Sequence, residues 1–318
     1  MNTAKEFEVI GNNIDISKSV QVRKKDRLAT NIVSDDEFIY HSADALTSPE
    51  DIDKVIYHLY GKGQLASLVF FVVGINTGYR PVDILAWRWI DIIDSDGDIT
   101  HKFVMPEHKT GKTATVNLND SVIKLLAWYL EYKMLNDPTF TYDSFVFSTK
   151  GGASYVYLDK ANNKFWHTDK KHRAKGLMFA YTDKGIIVCD ESEVVNNPEF
   201  VRLRKPIDTD TLSKHFTAAA NETVIDGHYS SYTIRQTFSY WFRQMLRTDE
   251  TLCNIADEFF STMLLSNYFQ HSSLKITQAH YMRDQQKMFA QVIGKMNLGN
   301  EAVEEIVNEN KVIQTTFL

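Results

Sequence analysis

Two arginines stand where helices are expected to begin, and both could face an anionic ligand. Arg80 lies in Thr77-Gly78-Tyr79-Arg80-Pro81-Val82-Asp83, after an apolar run that ends at Asn76-Thr77-Gly78 and before a proline suited to a helix start. Such a junction can hold a side chain toward a cleft. Arg235 lies in Tyr232-Thr233-Ile234-Arg235-Gln236-Thr237-Phe238, also at the start of a helical pattern. Each arginine presents a planar fork that matches a phosphate in two-point geometry. Lys109 and Lys112 bracket Thr110-Gly111 between two strand-like runs, which puts two mobile cations at a hairpin tip.

The elements that would carry these residues can be read from periodicity. Ser48 caps a helix that has Pro49 at its first position, Glu50 and Asp51 at its positive end, and Ile52, Val55, Ile56 and Leu59 on one face. A fully apolar helix follows over 65–75, then a short one from Pro81. Residues 99–105 and 113–118 read as the arms of a β-hairpin. Asn119 or Asp120 then caps a helix whose apolar stripe is Val122, Ile123, Leu126, Tyr129 and Leu130. Residues 149–205 are the least periodic, with a short strand expected at 185–189, and read as an insertion. From Thr209 onward the pattern is mainly helical. The expected class is mixed α/β, mainly helical, with a small antiparallel sheet. The divisions are an arm or linker over 1–46, a main domain over 47–298 and a tail over 299–318. Ala302, Val303, Ile306, Val307 and Val312 fall at near-helical spacing in that tail, which suits packing in cis or on a neighbouring protomer.

The chain has 318 residues, 43% of them apolar, enough for a sizeable core. No run approaches the ~20 apolar residues of a membrane span, and no basic-then-apolar leader opens the chain, so a cytoplasmic protein without membrane association is expected. Cys189 and Cys253, without metal-like spacing, read as reduced thiols. The net charge of −6 argues against nonspecific coating of DNA, yet Lys and Arg gather at 18–27, 160–175 and 202–205, so a local basic face is compatible with it.

The order of these pieces resembles the catalytic domain of the tyrosine recombinases, the phage-type integrases. Residues 77–92 are similar to the family's first arginine box, with Asp83 at its acidic position. The segment Lys109-Thr110-Gly111-Lys112 with Val116 and Leu118 is similar to its lysine hairpin, although Asn117 stands where proline is common. Residues 232–238 resemble the second arginine box. Residues 268–281, which contain His271-Ser272-Ser273 and Thr277-Gln278-Ala279-His280-Tyr281, resemble its ending. The resemblance implies a recombinase catalytic core that cleaves and rejoins DNA through a covalent 3′-phosphotyrosyl intermediate, in integration or excision of a mobile element. Tyr281 would be the nucleophile, Arg80, Arg235 and His271 the phosphate ligands, Lys109 (with Lys112 second) the general acid, and Asp83 a brace. It further implies a double-stranded DNA site and a homotetramer on DNA. Two arginines can replace the metal that phosphoryl transfer often employs, and a phosphotyrosine conserves the energy of the broken bond, so neither metal nor cofactor is expected.

The chain departs from the family pattern in four further places. Tyr232 replaces the histidine usual three residues before Arg235; its hydroxyl can still donate to phosphate as a member of the catalytic set, but with a pKa near 10 it is a poor base at neutral pH, and His228, reaching in from the preceding loop, is the alternative. Arg235 and His271 are 36 residues apart, longer than usual. The region between hairpin and second arginine box is enlarged. The stretch before Thr77 is too short for the helical core-binding domain that usually precedes the box, which points to a fragment or a small recombinase. The alternatives are a DNA-binding protein of this fold with impaired catalysis and a strand-relaxing enzyme of the type IB topoisomerase kind.

Overall fold

The computed structural model describes residues 43–106, 113–149, 155–182, 185–250 and 285–316. Its centre is the apolar helix α2, Leu65–Thr77, which follows the amphipathic α1, Pro49–Gly61. Every residue of α2 except Ala66 is buried, as an all-round apolar helix requires. Helix α1 forms as its sequence dictates, with Ser48 Oγ accepting from Asp51 N–H at 3.3 Å and Ile52, Val55, Ile56 and Leu59 facing inward. Phe70 and Phe71 of α2 meet Phe216, and Phe70 also meets Phe147 edge-on at 5.5 Å. Burial of an aromatic side chain stabilises by about 1.5–3 kcal/mol, so this layer is the main anchor of the fold.

Short helices α3 (Pro81–Leu85) and α4 (Trp89–Ile92) follow, then β1 (Lys102–Pro106) and β2 (Thr113–Asn117), antiparallel with Pro106 opposite Thr113. The hairpin is shorter than its sequence suggests. Ile99 makes only a bridge to Ile93 across a turn through Gly97, so the strand starts at Lys102. Helix α5, Asp120–Asn136, is capped by Asn119, whose Oδ1 accepts from Val122 N–H at 3.1 Å.

The insertion is a second sheet. Strands β3 (Tyr155–Asp159), β4 (Lys164–His167), β5 (Leu177–Thr182), β6 (Gly185–Asp190) and β7 (Phe200–Arg204) pair antiparallel in the order β6-β5-β4-β3-β7. Helix α6, Lys170–Arg173, lies against β5, and α7, Glu191–Val195, contributes Val194 to a small core with Trp166, Met178 and Ala180. The single expected strand is β6; among the described residues the expected small sheet is a pair of sheets, one of two strands and one of five.

Helices α8 (Thr209–Glu222), α9 (Thr233–Thr248), α10 (Gln285–Met296) and α11 (Asn300–Thr316) complete the described chain. In α11, Ala302, Val303, Ile306 and Val307 are buried in cis against α1 and α5, with ion pairing of Lys124 to Glu304 at 2.7 Å and a hydrogen bond from Tyr57 to Glu305. The first described stretch begins at Ala43, a few residues before Ser48. Leu46 N–H donates to Thr237 Oγ1 at 3.0 Å and Leu46 O accepts from Trp241 Nε1 at 2.9 Å, so this strap is fastened to α9.

His167 sits among Phe165, Phe179 and Tyr181 within the five-stranded sheet. Burial, reinforced by the Lys205 cation, pushes its pKa down to about 4. A depressed folded-state pKa means the unfolded chain takes up this proton first. The stability owed to the neutral ring is therefore full above pH ~6.5 and is lost as pH falls toward 4. The thermal midpoint of the wild type is expected to fall across that window more steeply than that of His167→Phe; parallel curves would contradict it.

Candidate active site

Helices α2 and α9 lie side by side through two glycines. A Cβ on Gly74 would fall 2.5 Å from Ile234 Cδ1, and one on Gly78 would fall 2.3 Å from the Phe238 ring. Both pairs are four residues apart, so one groove on α2 takes two successive turns of α9. Gly78 also ends α2 at φ 69°, a left-handed conformation that favours glycine. Arg80 is two residues beyond Gly78, and Arg235 lies between Ile234 and Phe238. Close approach of the two helices therefore sets both arginine segments at one junction.

Arg80 occupies the N-cap position of α3 with extended backbone. Its side chain is 29% exposed and its Nη1 lies 3.7 Å from Oδ2 of Asp83, whose side chain is 1% exposed. A buried carboxylate beside a partly open arginine side chain orients the fork while leaving part of the side chain accessible. Arg235 is partly buried in the first turn of α9, between fully buried Ile234 and Thr237, and its N–H bonds Tyr232 O at 3.0 Å. Tyr232 is the N-cap residue of α9 and its side chain is 51% exposed. His228 is held by its backbone: its N–H donates to Asp44 Oδ2 at 2.7 Å and its carbonyl accepts from Asp44 N–H at 2.8 Å.

Tyr79, which the sequence did not single out, joins the hairpin to this junction. Its hydroxyl donates to Thr115 O of β2 at 2.7 Å. The residue next to Arg80 thereby fastens the middle of β2 to this junction. A second unforeseen residue is Asn76, fully buried, which bonds α5 and the chain after α10 through its side chain. Nothing in local sequence marks either one, because both partners are distant along the chain. Tyr79→Phe is expected to cost about 0.5–1.5 kcal/mol of stability, read as a lowered thermal midpoint. An unchanged midpoint would show that the bond adds nothing to the fold.

Lys109, Lys112, His271 and Tyr281 lie outside the described residues, as does Cys253. Among the described residues, no group of three His, Cys, Asp or Glu side chains could hold a metal ion, and no helix is long and apolar enough to cross a membrane. A cavity of about 550 Å³ lies elsewhere, lined among others by Ser67, Lys133, Asp137, Arg204 and His215. No residue of either arginine box lines it.

No protein-family model matches the chain, and no curated protein matches it. Among solved structures, the pre-cleavage complex of the XerH site-specific recombinase bound to its difH substrate is similar at 12% identity, with a TM-score of 0.37, over 88% of this chain and 65% of that one. The chain thus spans about 65% of the length of that recombinase. At that score the likeness carries no weight in assigning a role, which rests on the residues and their packing.

Proposed function

We propose that this chain is a tyrosine recombinase catalytic unit that cleaves and rejoins double-stranded DNA through a covalent 3′-phosphotyrosyl intermediate. The supporting observation is the glycine-mediated contact of α2 with α9, which brings together two arginine segments separated by more than 150 residues of sequence. In this reading the guanidinium groups of those segments bind the two non-bridging oxygens that gain charge as a phosphodiester passes through five-coordinate phosphorus. Asp83, braced against Arg80, favours a fixed fork over a mobile one.

In this reading Tyr281 attacks the phosphorus, the bond to the 5′ oxygen breaks, and Lys109 or Lys112 at the hairpin tip protonates the departing oxygen. General acid help of this kind contributes about 10²–10⁴ in rate. His271 donates a hydrogen bond to a non-bridging oxygen. The phosphotyrosine holds the energy of the broken bond until a second DNA hydroxyl displaces it, so the cycle needs neither metal nor nucleotide cofactor. The partners are a DNA recombination site and further copies of the chain, four on paired sites, and the setting is cytoplasmic.

Incubation with nicked duplex DNA carrying the recognised site tests this. Wild type is expected to form an adduct that survives denaturant and Tyr281→Phe to form none. Tight binding without an adduct would leave the second reading, a DNA-binding protein of recombinase fold with impaired catalysis. Tyr232 favours that second reading, since an exposed hydroxyl stands where the family usually places an imidazole.

A further inference from the structure

Helix α9 is gripped along two rows of side chains. One is the row of Ile234 and Phe238, seated on Gly74 and Gly78 of α2. The other is the row of Thr237 and Trp241, spaced like the first, and it takes hold of a single residue of the strap. Leu46, itself buried, donates its N–H to Thr237 Oγ1 at 3.0 Å and accepts at its carbonyl from Trp241 Nε1 at 2.9 Å. Both backbone groups of one residue are thus committed to successive turns of α9. Thr237 is fully buried and Leu46 nearly so, which shields the first of these bonds from water. Two residues earlier the strap is clasped again, where Asp44 N–H donates to His228 O at 2.8 Å and Asp44 Oδ2 accepts from His228 N–H at 2.7 Å, in the turn that leads into α9.

Helical geometry shows what the second row adds. At about 100° per residue, the 237/241 row lies about 60° from the 234/238 row, and Arg235 lies about 80° beyond the latter, on the side away from the strap. A helix held along one row can roll about it. A second row to one side stops the roll. Rolling matters because Arg235 projects from the edge of the buried arc, and a roll of roughly 20° displaces a group ~6 Å from the helix axis by about 2 Å. The turn before α9 is tied to α8 as well as to Asp44: Tyr229 O accepts from Thr217 Oγ1 at 2.8 Å and Ser231 N–H donates to Ser213 Oγ at 3.0 Å. Those ties fix where the helix starts, and the two bonds of Leu46 fix its rotation.

We infer that Thr237 is a positioning residue for Arg235: through Leu46, and together with Trp241, it sets the rotation of α9 at which the guanidinium meets the reacting phosphate. The effect on rate rests on the proposed recombinase chemistry, while the hold on the helix rests on the hydrogen bonds alone. The Thr237 hydroxyl is engaged by the strap inside the core, so its influence on the site passes through the helix. A misplacement of about 1 Å at a reacting centre can cost on the order of 10²-fold in rate. Duplex affinity is spread over many phosphate contacts and responds far less to the loss of aim at one of them.

Two substitutions in the full chain separate the bond from the packing. Thr237→Val keeps the volume of threonine and cannot accept from Leu46 N–H; Thr237→Ser gives up a methyl group and can. At a temperature where circular dichroism shows both variants folded, Thr237→Val is expected to slow single-turnover adduct formation on nicked duplex DNA by about tenfold or more at an affinity close to that of wild type. Thr237→Ser is expected to recover most of that rate. A role in stability alone would lower rate and affinity together, with the folded fraction. The second arm uses no DNA. Modification of Arg235 by phenylglyoxal, located by peptide mass mapping, is expected to run several-fold faster in Thr237→Val than in wild type and near the wild-type rate in Thr237→Ser. An adduct rate in Thr237→Val equal to that of wild type, a parallel loss of affinity, or a serine variant no better than the valine one would each overturn the inference. A wild type that forms no adduct sinks the proposed chemistry; the phenylglyoxal arm then decides the hold on the helix by itself, and equal modification in the three proteins overturns it. Trp241→Phe, which removes the donor to Leu46 O, replaces Thr237→Val in both arms should that variant fail to fold, with the same expected direction.

Discussion

Arg235→Lys is expected, on the proposed chemistry, to slow formation of the covalent DNA adduct by about 10²–10³-fold while leaving duplex affinity within a few-fold of wild type. Charge is conserved in this change and geometry is not. Lysine offers a single mobile ammonium where arginine offers a fixed planar fork, and only the fork can meet a phosphate oxygen in two-point contact as charge builds on it. The backbone beneath the residue should be indifferent, since Ile234 and Thr237 on either side are fully buried and already fixed by Gly74 and Leu46. Single-turnover adduct formation on nicked DNA, with affinity measured in parallel, separates the two quantities. A decrease of less than tenfold, or a parallel loss of binding, would remove Arg235 from the reacting phosphate.

Asn76→Leu, close to isosteric, is expected to cost about 3–5 kcal/mol. Asn76 Nδ2 donates to Val72 O at 2.9 Å and Leu298 O at 3.0 Å, and its Oδ1 accepts from Asn119 Nδ2 and Leu298 N–H, both at 2.8 Å. Leucine fills the space and satisfies none of these groups. Each buried polar group left without a partner costs about 1–3 kcal/mol. Thermal unfolding should show a midpoint lowered by roughly 10 °C. A shift under about 2 °C would mean that water reaches these groups and that the network adds little.

Much of the helical frame is visible in the sequence because its signals are local. Ser48-Pro49 and the Ile52-to-Leu59 stripe define α1, the unbroken apolar run defines α2, and Asn119 defines the start of α5. The five-stranded sheet is mostly hidden for physical reasons. Its strands are four to six residues long, too short for an alternation to stand out. In β7 the alternation Phe200-Val201-Arg202-Leu203-Arg204 is real, yet its charges belong to a basic cluster that reads equally well as solvated surface. Similar limits hold at the candidate site. The arginine segments are recognisable from their residue order, and Asp83 from its spacing to Arg80. Asn76 and Tyr79 act through partners tens to hundreds of residues away, and only the folded chain brings those together.

The contact of α2 with α9 also makes substitutions on the two helices conditional on one another. At 74 and 234, and again at 78 and 238, the occupied volume is fixed by the pair, so a methyl group gained on one helix must be given up on the other. Gly74→Ala alone should be poorly tolerated, while Gly74→Ala with Ile234→Val should recover part of the loss. The coupling between the two changes should exceed the 0.3–0.5 kcal/mol typical of independent sites. The first arginine segment can therefore vary only in step with the second, and a homologue that alters one glycine should carry a smaller side chain opposite.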